Sequence, residues 1–156
     1  MTIYNEIGDM KMEVTMVKEI TVEWLEERNA CHEGVEVFKK QKIREPIKLL
    51  KKYKNKYPDY CNWLIVRVME YKQYVSYAVF AAEQVINIYE KKYPDDKRPR
   101  EAIEAAKRCI DNPSEENKAA AWAAEAAWAE AACKKKMQLK ILEYGINLLE
   151  GKNEKA

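Results

Sequence analysis

The chain has 156 residues, near the usual size of one domain and long enough to bury roughly 70% of its unfolded surface. Its four glycines and five prolines fall well below the usual share of about 12%, which excludes collagen-like, Pro-rich and many-turned all-β chains and favours long helices. Lys+Arg 28 against Asp+Glu 26 leaves a net charge of +2, without the basic excess of a nucleic-acid binder, and 47% hydrophobic residues set it apart from disordered chains.

Residues 1–20 carry acids and bases throughout and no apolar run of signal-peptide length. No stretch approaches ~18 uninterrupted apolar residues, so no membrane-spanning helix is expected, and a cytoplasmic protein is. Cys31, Cys61, Cys109 and Cys133 form no CxxC pair, and His32 is the one histidine, so no zinc site is expected. The expectation is four buried thiols in a reducing compartment. No Ser-His-Asp set, GxGxxG, phosphate loop or HExxH occurs, so neither enzyme chemistry nor a cofactor is expected. The composition points to a protein that acts by binding.

In chain order, Met10, Met12, Val14 and Met16 alternate with Lys11, Glu13 and Thr15, the period of a short strand, in an N-terminal arm over residues 1–20. A lone strand needs a partner, either another segment or a second copy of the chain. Thr21 is placed to cap a short helix with Val22, Trp24 and Leu25 inward. A second helix is predicted from about Ala30 to Gln41, with Cys31, Val35 and Phe38 on one face. Ile43, Ile47, Leu50, Tyr53 and Tyr57 make a third apolar stripe, with Pro46 near its helix start. Tyr57-Pro58-Asp59 breaks it, and Trp63, Leu64 and Val68 resume in a helix ending near Tyr71.

Val75, Ala78, Val79, Ala82, Val85, Ile86 and Tyr89 define an amphipathic helix over roughly Gln73 to Lys92, with Gln84, Asn87 and Lys91 facing away. After the Tyr93-Pro94-Asp95-Asp96 turn, Pro99 opens a helix with Ala102, Ile103, Ala106, Cys109 and Ile110 inward. Asn112-Pro113-Ser114 ends it, with Asn112 as N-cap of the next. Ten of the fourteen residues from Ala119 to Ala132 are alanine, the others being Trp122, Glu125, Trp128 and Glu130. A helix of that composition suits close packing inside a bundle. The last apolar face is Ile141, Leu142, Gly145, Leu148 and Leu149, and Gly151 is placed as a C-cap. The fold class expected is all-α: one domain over residues 21–156, a bundle of about seven helices behind the arm.

The run from Tyr77 to Val85, then Tyr89-Glu90, then Tyr93 to Ala106, resembles a motif of bacterial immunity proteins. In that family an Ala-rich helix ends in Glu and is followed by P-x-D-x-R-P-R-x-A-I-x-A-A. Pro94, Asp96, Arg98, Pro99, Arg100, Ala102, Ile103, Ala105 and Ala106 match it position by position. Ala30, Cys31, Gly34 and Phe38 resemble an A-C-x-x-G-x-x-x-F element of related phage and prophage proteins. The likeness spans residues 21 to 150, with about thirty specific positions. The chain lacks the histidines that members often carry in the late Ala-rich helices, and the arm lies outside the pattern. The resemblance implies a small all-α cytosolic protein that binds and neutralises a toxin or a host-defence protein.

Two clusters are the candidate partner contacts. Asp95, Asp96, Arg98 and Arg100 would form an ion-paired patch on an exposed turn. The competing reading is a local brace: Asp96 caps or pairs nearby, and an arginine ties the turn to a neighbouring helix. Glu23, Glu26, Glu27 and Glu33 lie in the segment from Glu19 to Glu36, which holds six acids and one arginine, Arg28. Such a surface would meet a basic toxin. Lys48, Lys51, Lys52, Lys54 and Lys56 crowd around Tyr53 and Tyr57 and read as a solvated helix face rather than a nucleic-acid surface. Cys31 and His32 point about 100° apart on a helix, so they are poorly placed to share a proton or a metal, and no thiol catalysis is expected of them. Glu83, among alanines, is expected to pair with Arg98 or Arg100. The function expected is a non-enzymatic inhibitor that masks a partner protein's active surface. The alternative is a phage structural or assembly protein that self-associates, as a homodimer, through its arm.

Overall fold

The computed structural model describes residues 3–7, 10–14, 17–114 and 135–152, for the first two segments as backbone alone. Among them are seven helices: α1 (Val22–Glu27), α2 (His32–Lys39), α3 (Pro46–Tyr53), α4 (Pro58–Val68), α5 (Tyr71–Lys92), α6 (Arg98–Asp111) and α7 (Lys135–Leu149). The all-α class read from the sequence is therefore what the chain adopts. The helix expected over Ala119–Ala132, with Trp122 and Trp128, lies outside the described residues, as does Cys133. In the arm, β1 (Ile3–Ile7) and β2 (Met10–Val14) form an antiparallel ladder in which Ile7 faces Met10. The strand over Met10–Val14 thus finds its partner within the chain; Met16 lies outside the described residues.

The packing falls into two units, Met1–Glu70 and Tyr71–Ala156. In the first, α1 packs on α2 and α3 on α4. Thr21 caps α1 as its spacing predicts, its Oγ1 accepting from Trp24 N–H at 3.1 Å. Pro46 and Pro58 open α3 and α4, where a missing N–H leaves no bond unmade. The core is Ile20, Leu25, Val35, Phe38, Leu49, Leu50, Cys61, Ile65 and Val68. The Ile20 N–H donates to the Arg44 carbonyl at 2.7 Å, tying the entry of α1 to the segment before α3.

In the second unit α5 packs against both α6 and α7. Val75, Val79, Ala82 and Ile86 recur on one side of α5 at three- and four-residue spacing and meet Ile103, Ala106 and Cys109 of α6. Between α5 and α7 the Phe80 and Tyr144 rings stack with centroids 3.9 Å apart and planes 5° from parallel. Gly151 ends α7 with φ +74°, and the Lys152 N–H donates to the Asn147 carbonyl at 2.8 Å, the closing bond of a Schellman turn.

Candidate partner-binding surface

The surface starts from a corner of the backbone. After Glu27, Asn29 takes φ +58°, a left-handed conformation that asparagine tolerates better than most side chains. The Asn29 N–H reaches the Glu26 carbonyl at 3.0 Å and the Ala30 N–H reaches the Leu25 carbonyl at 3.0 Å, a Schellman turn that ends α1 sharply. Cys31 then caps α2, its Sγ accepting from the Gly34 N–H at 3.4 Å. A Cβ at position 34 would stand 3.3 Å from that sulfur and 3.9 Å from the Tyr60 ring. The A-C-x-x-G-x-x-x-F spacing thus has a local cause. It joins a sulfur cap, an N–H that must come close to it, and Phe38, which is buried.

Cys31 is exposed, which corrects the expectation of a buried thiol there; Cys61 and Cys109 are buried. The correction follows from the cap: an N-cap residue sits outside the helix and turns its side chain to the free N–H groups rather than to the core. Burial pushes the Cys61 thiol up to about 12, so it stays protonated at neutral pH.

Elements α1 to α4 enclose a half-open cavity of about 300 Å³. Its walls include Leu25, Phe38, Leu49, Tyr53, Tyr57 and Tyr60, with Cys31 and Asp59 also on the lining. The Tyr57 and Tyr60 rings stack at 5.5 Å, and Tyr53 lies 5.9 Å from Tyr57. One polar group on this lining, the Gln41 side-chain amide, is already engaged. The Gln41 amide donates to the Phe38 and Ile43 carbonyls and accepts from the Ile43 N–H at 2.7 Å. No sequence pattern marks the cavity, because Tyr53 and Tyr57 fall on a stripe that reads as filled core.

Around this corner Glu23, Glu26, Glu27 and Glu33 are all exposed. Glu27 comes within 3.7 Å of Arg28, whose guanidinium lies 4.1 Å over the Trp24 ring. Glu23, Glu26 and Glu33 make no ion pair among the described residues. Glu33 and Cys31 stand near enough to Tyr60 to add to the effect of burial in raising its phenol. The Lys52 and Lys56 ammonium groups sit 5.4 and 5.3 Å from the Tyr53 and Tyr57 ring centroids.

The second expected cluster pairs internally. The Asp96 carboxylate accepts from the Arg98 side chain at 2.9 and 2.8 Å, from the Arg98 N–H at 3.1 Å and from the Tyr89 hydroxyl at 2.7 Å. The Arg98 guanidinium, and then the Tyr89 hydroxyl, hold this carboxyl well below the usual carboxylate range. Arg100 grips Glu90 with two parallel bonds of 2.9 and 2.7 Å, which lowers the Glu90 carboxyl and ties α6 back to the end of α5. Asp95 is exposed and makes no ion pair among the described residues. Glu83 pairs with Lys107 at 2.6 Å rather than with either arginine, because Arg98 and Arg100 are held by Asp96 and Glu90. Sequence reasoning passed over Glu90 and Tyr89 as partners. Both lie one helical turn from the 93–96 turn that doubles back on them, so the signal was present.

Among the described residues no group of three or more His, Cys, Asp and Glu side chains is placed to hold a metal ion. No described helix is long and apolar enough to cross a membrane. The all-α architecture and the braced turn at residues 94–100 define the class, and comparison with known families gives the kinship. Residues 65–142 match the family described as Imm-5 like putative immunity protein, half of the chain. The chain belongs to that family. No curated protein and no solved structure matches it.

Proposed function

We propose that this chain is a non-enzymatic protein-binding protein of the cytoplasm that neutralises a toxin or host-defence protein by masking its active surface. Membership of an immunity protein family is the observation that carries the reading. The electrostatics favour one of the two clusters as the contact. Asp96, Arg98 and Arg100 spend their charge on Tyr89, Glu90 and each other, so they serve to hold the α5–α6 corner. Glu23, Glu26 and Glu33 keep theirs, and with Glu27 they offer a partner an acidic edge.

Co-expression tests this. Each product of the genes flanking this one is expressed in a sensitive host with and without the chain. One product is expected to arrest growth and the chain to restore it. A toxic flanking product whose arrest persists beside abundant folded chain overturns the reading. A chain that associates only with itself supports the assembly role in its place.

A further inference from the structure

The N-terminal arm carries two strand edges with no neighbouring strand among the described residues, whose one sheet holds β1 and β2 alone. A two-stranded hairpin is marginally stable in water, whereas three or more strands with an apolar face can stand. The register sets Ile3 opposite Val14, Asn5 opposite Met12 and Ile7 opposite Met10, so these residues share one face of the hairpin. Tyr4, Glu6, Lys11 and Glu13 share the other, with Glu6 opposite Lys11 and Tyr4 opposite Glu13. The free edge of β2 thus reads Met10, Lys11, Met12, Glu13, Val14. A lysine alone blunts an edge against pairing. With Glu13 two positions on, the same lysine makes this edge complementary to itself.

A two-fold axis at Met12 lays β2 antiparallel to the β2 of a second copy. Met12 then stands opposite Met12, Met10 opposite Val14, and Lys11 opposite Glu13 at both symmetric positions. Opposite charges facing each other across a ladder favour pairing, and like charges oppose it. A shift of one residue sets apolar positions opposite charged ones and mixes the two faces. A shift of two sets Lys11 opposite Lys11, or Glu13 opposite Glu13. The free edge of β1 carries one charge, Glu6, and no register sets it opposite a cation of another β1. We propose that the chain forms a two-fold dimer in which β2 pairs with β2 of a second copy, Met12 on the axis, in a four-stranded sheet of order β1-β2-β2-β1. Across it Glu6, Lys11 and Glu13 of the second copy stand in one row of alternating charge. The pairing goes beyond the neutralising role and does not depend on it.

Sedimentation equilibrium of the whole chain over a range of concentrations tests this. The chain is expected to dimerise and to dissociate on dilution. One variant carries Glu6→Lys with Lys11→Glu, which keeps the hairpin's own pair of opposite charges but sets two acids against each other between copies. A second carries Glu13→Lys, which sets two lysines against each other. Each variant alone is expected to associate about tenfold more weakly, as two pairs turned from attraction to repulsion would. Mixed in equal amounts the two are complementary again, and a heterodimer about as tight as the parent dimer is expected. The mixture distinguishes lost charge pairing from a hairpin that no longer forms. A parent chain that is monomeric at every concentration, a dimer that neither variant weakens, or two variants that stay apart when mixed overturns the proposal.

Discussion

Cysteine 31 and glycine 34 show how one contact can account for a motif. The sulfur accepts the Gly34 N–H, and glycine lets the Tyr60 ring and the sulfur lie on the same first turn of α2. Cys31→Ala removes the cap and is expected to lower stability by about 0.5–2 kcal/mol, whereas Cys31→Ser keeps an acceptor and stays near the parent. Urea midpoints of the two variants check it. Exposure makes a further prediction: under native conditions iodoacetamide labels Cys31 well before Cys61 or Cys109, which react only once the chain is unfolded. Peptide-level mass spectrometry reads the order.

Asp96 and Glu90 have carboxyls lowered by their arginines, so their pairing stabilises the fold above their unfolded values, and that gain disappears as the pH falls through the folded values. Asp96→Asn is therefore expected to lower Tm at neutral pH. The gap to the parent narrows as the pH drops below about 4, and Glu90→Gln behaves alike. A gap that stays constant with pH would show that the carboxylate charge contributes nothing.

The corner between α1 and α2 turns on Asn29 at φ +58°. Asn29→Gly should be close to neutral, while Asn29→Val, with a β-branched side chain forced into left-handed space, should cost about 1–2 kcal/mol or more. Chemical denaturation of the two distinguishes them. In the α5–α6 core, Ile103 is 1% exposed, and Ile103→Ala is expected to cost about 2–5 kcal/mol in the same assay.

Most of these elements were legible from spacing. The α5 stripe, Pro46 and Pro99 at helix starts, Thr21 as a cap and Gly151 as a C-cap all depend on neighbours within one or two turns. Where packing between elements decides, less was legible. Leu49 and Ile65 are buried although neither was placed on a predicted stripe, because α3 and α4 bury a wider face against each other than one row of side chains. β1 was missed although Gly8-Asp9, a hairpin-turn pair, separates Ile7 from Met10. Of the candidate surface, the acidic residues were visible as composition. The cavity was not, since its walls come from four helices and no local pattern marks a space between them.

At the scale of the molecule, residues 65–142 place the chain in an immunity protein family. Under the function proposed above, the exposed Glu23, Glu26 and Glu33 are the contact for a basic partner. Rim charges of this kind act mainly on the rate of association and its salt dependence. Replacing Glu23, Glu26 and Glu33 by glutamine should therefore slow association with the partner and flatten its dependence on ionic strength, with smaller effects on dissociation. Stopped-flow or surface-based kinetics at several salt concentrations would show it.

The most direct measurement titrates the purified chain into the flanking-gene product that arrests growth and follows that product's own activity. Activity is expected to fall linearly and vanish at one chain per partner, with chain and partner co-eluting as a complex. Full activity in the presence of excess folded chain, or a complex in which the partner stays active, would contradict the account.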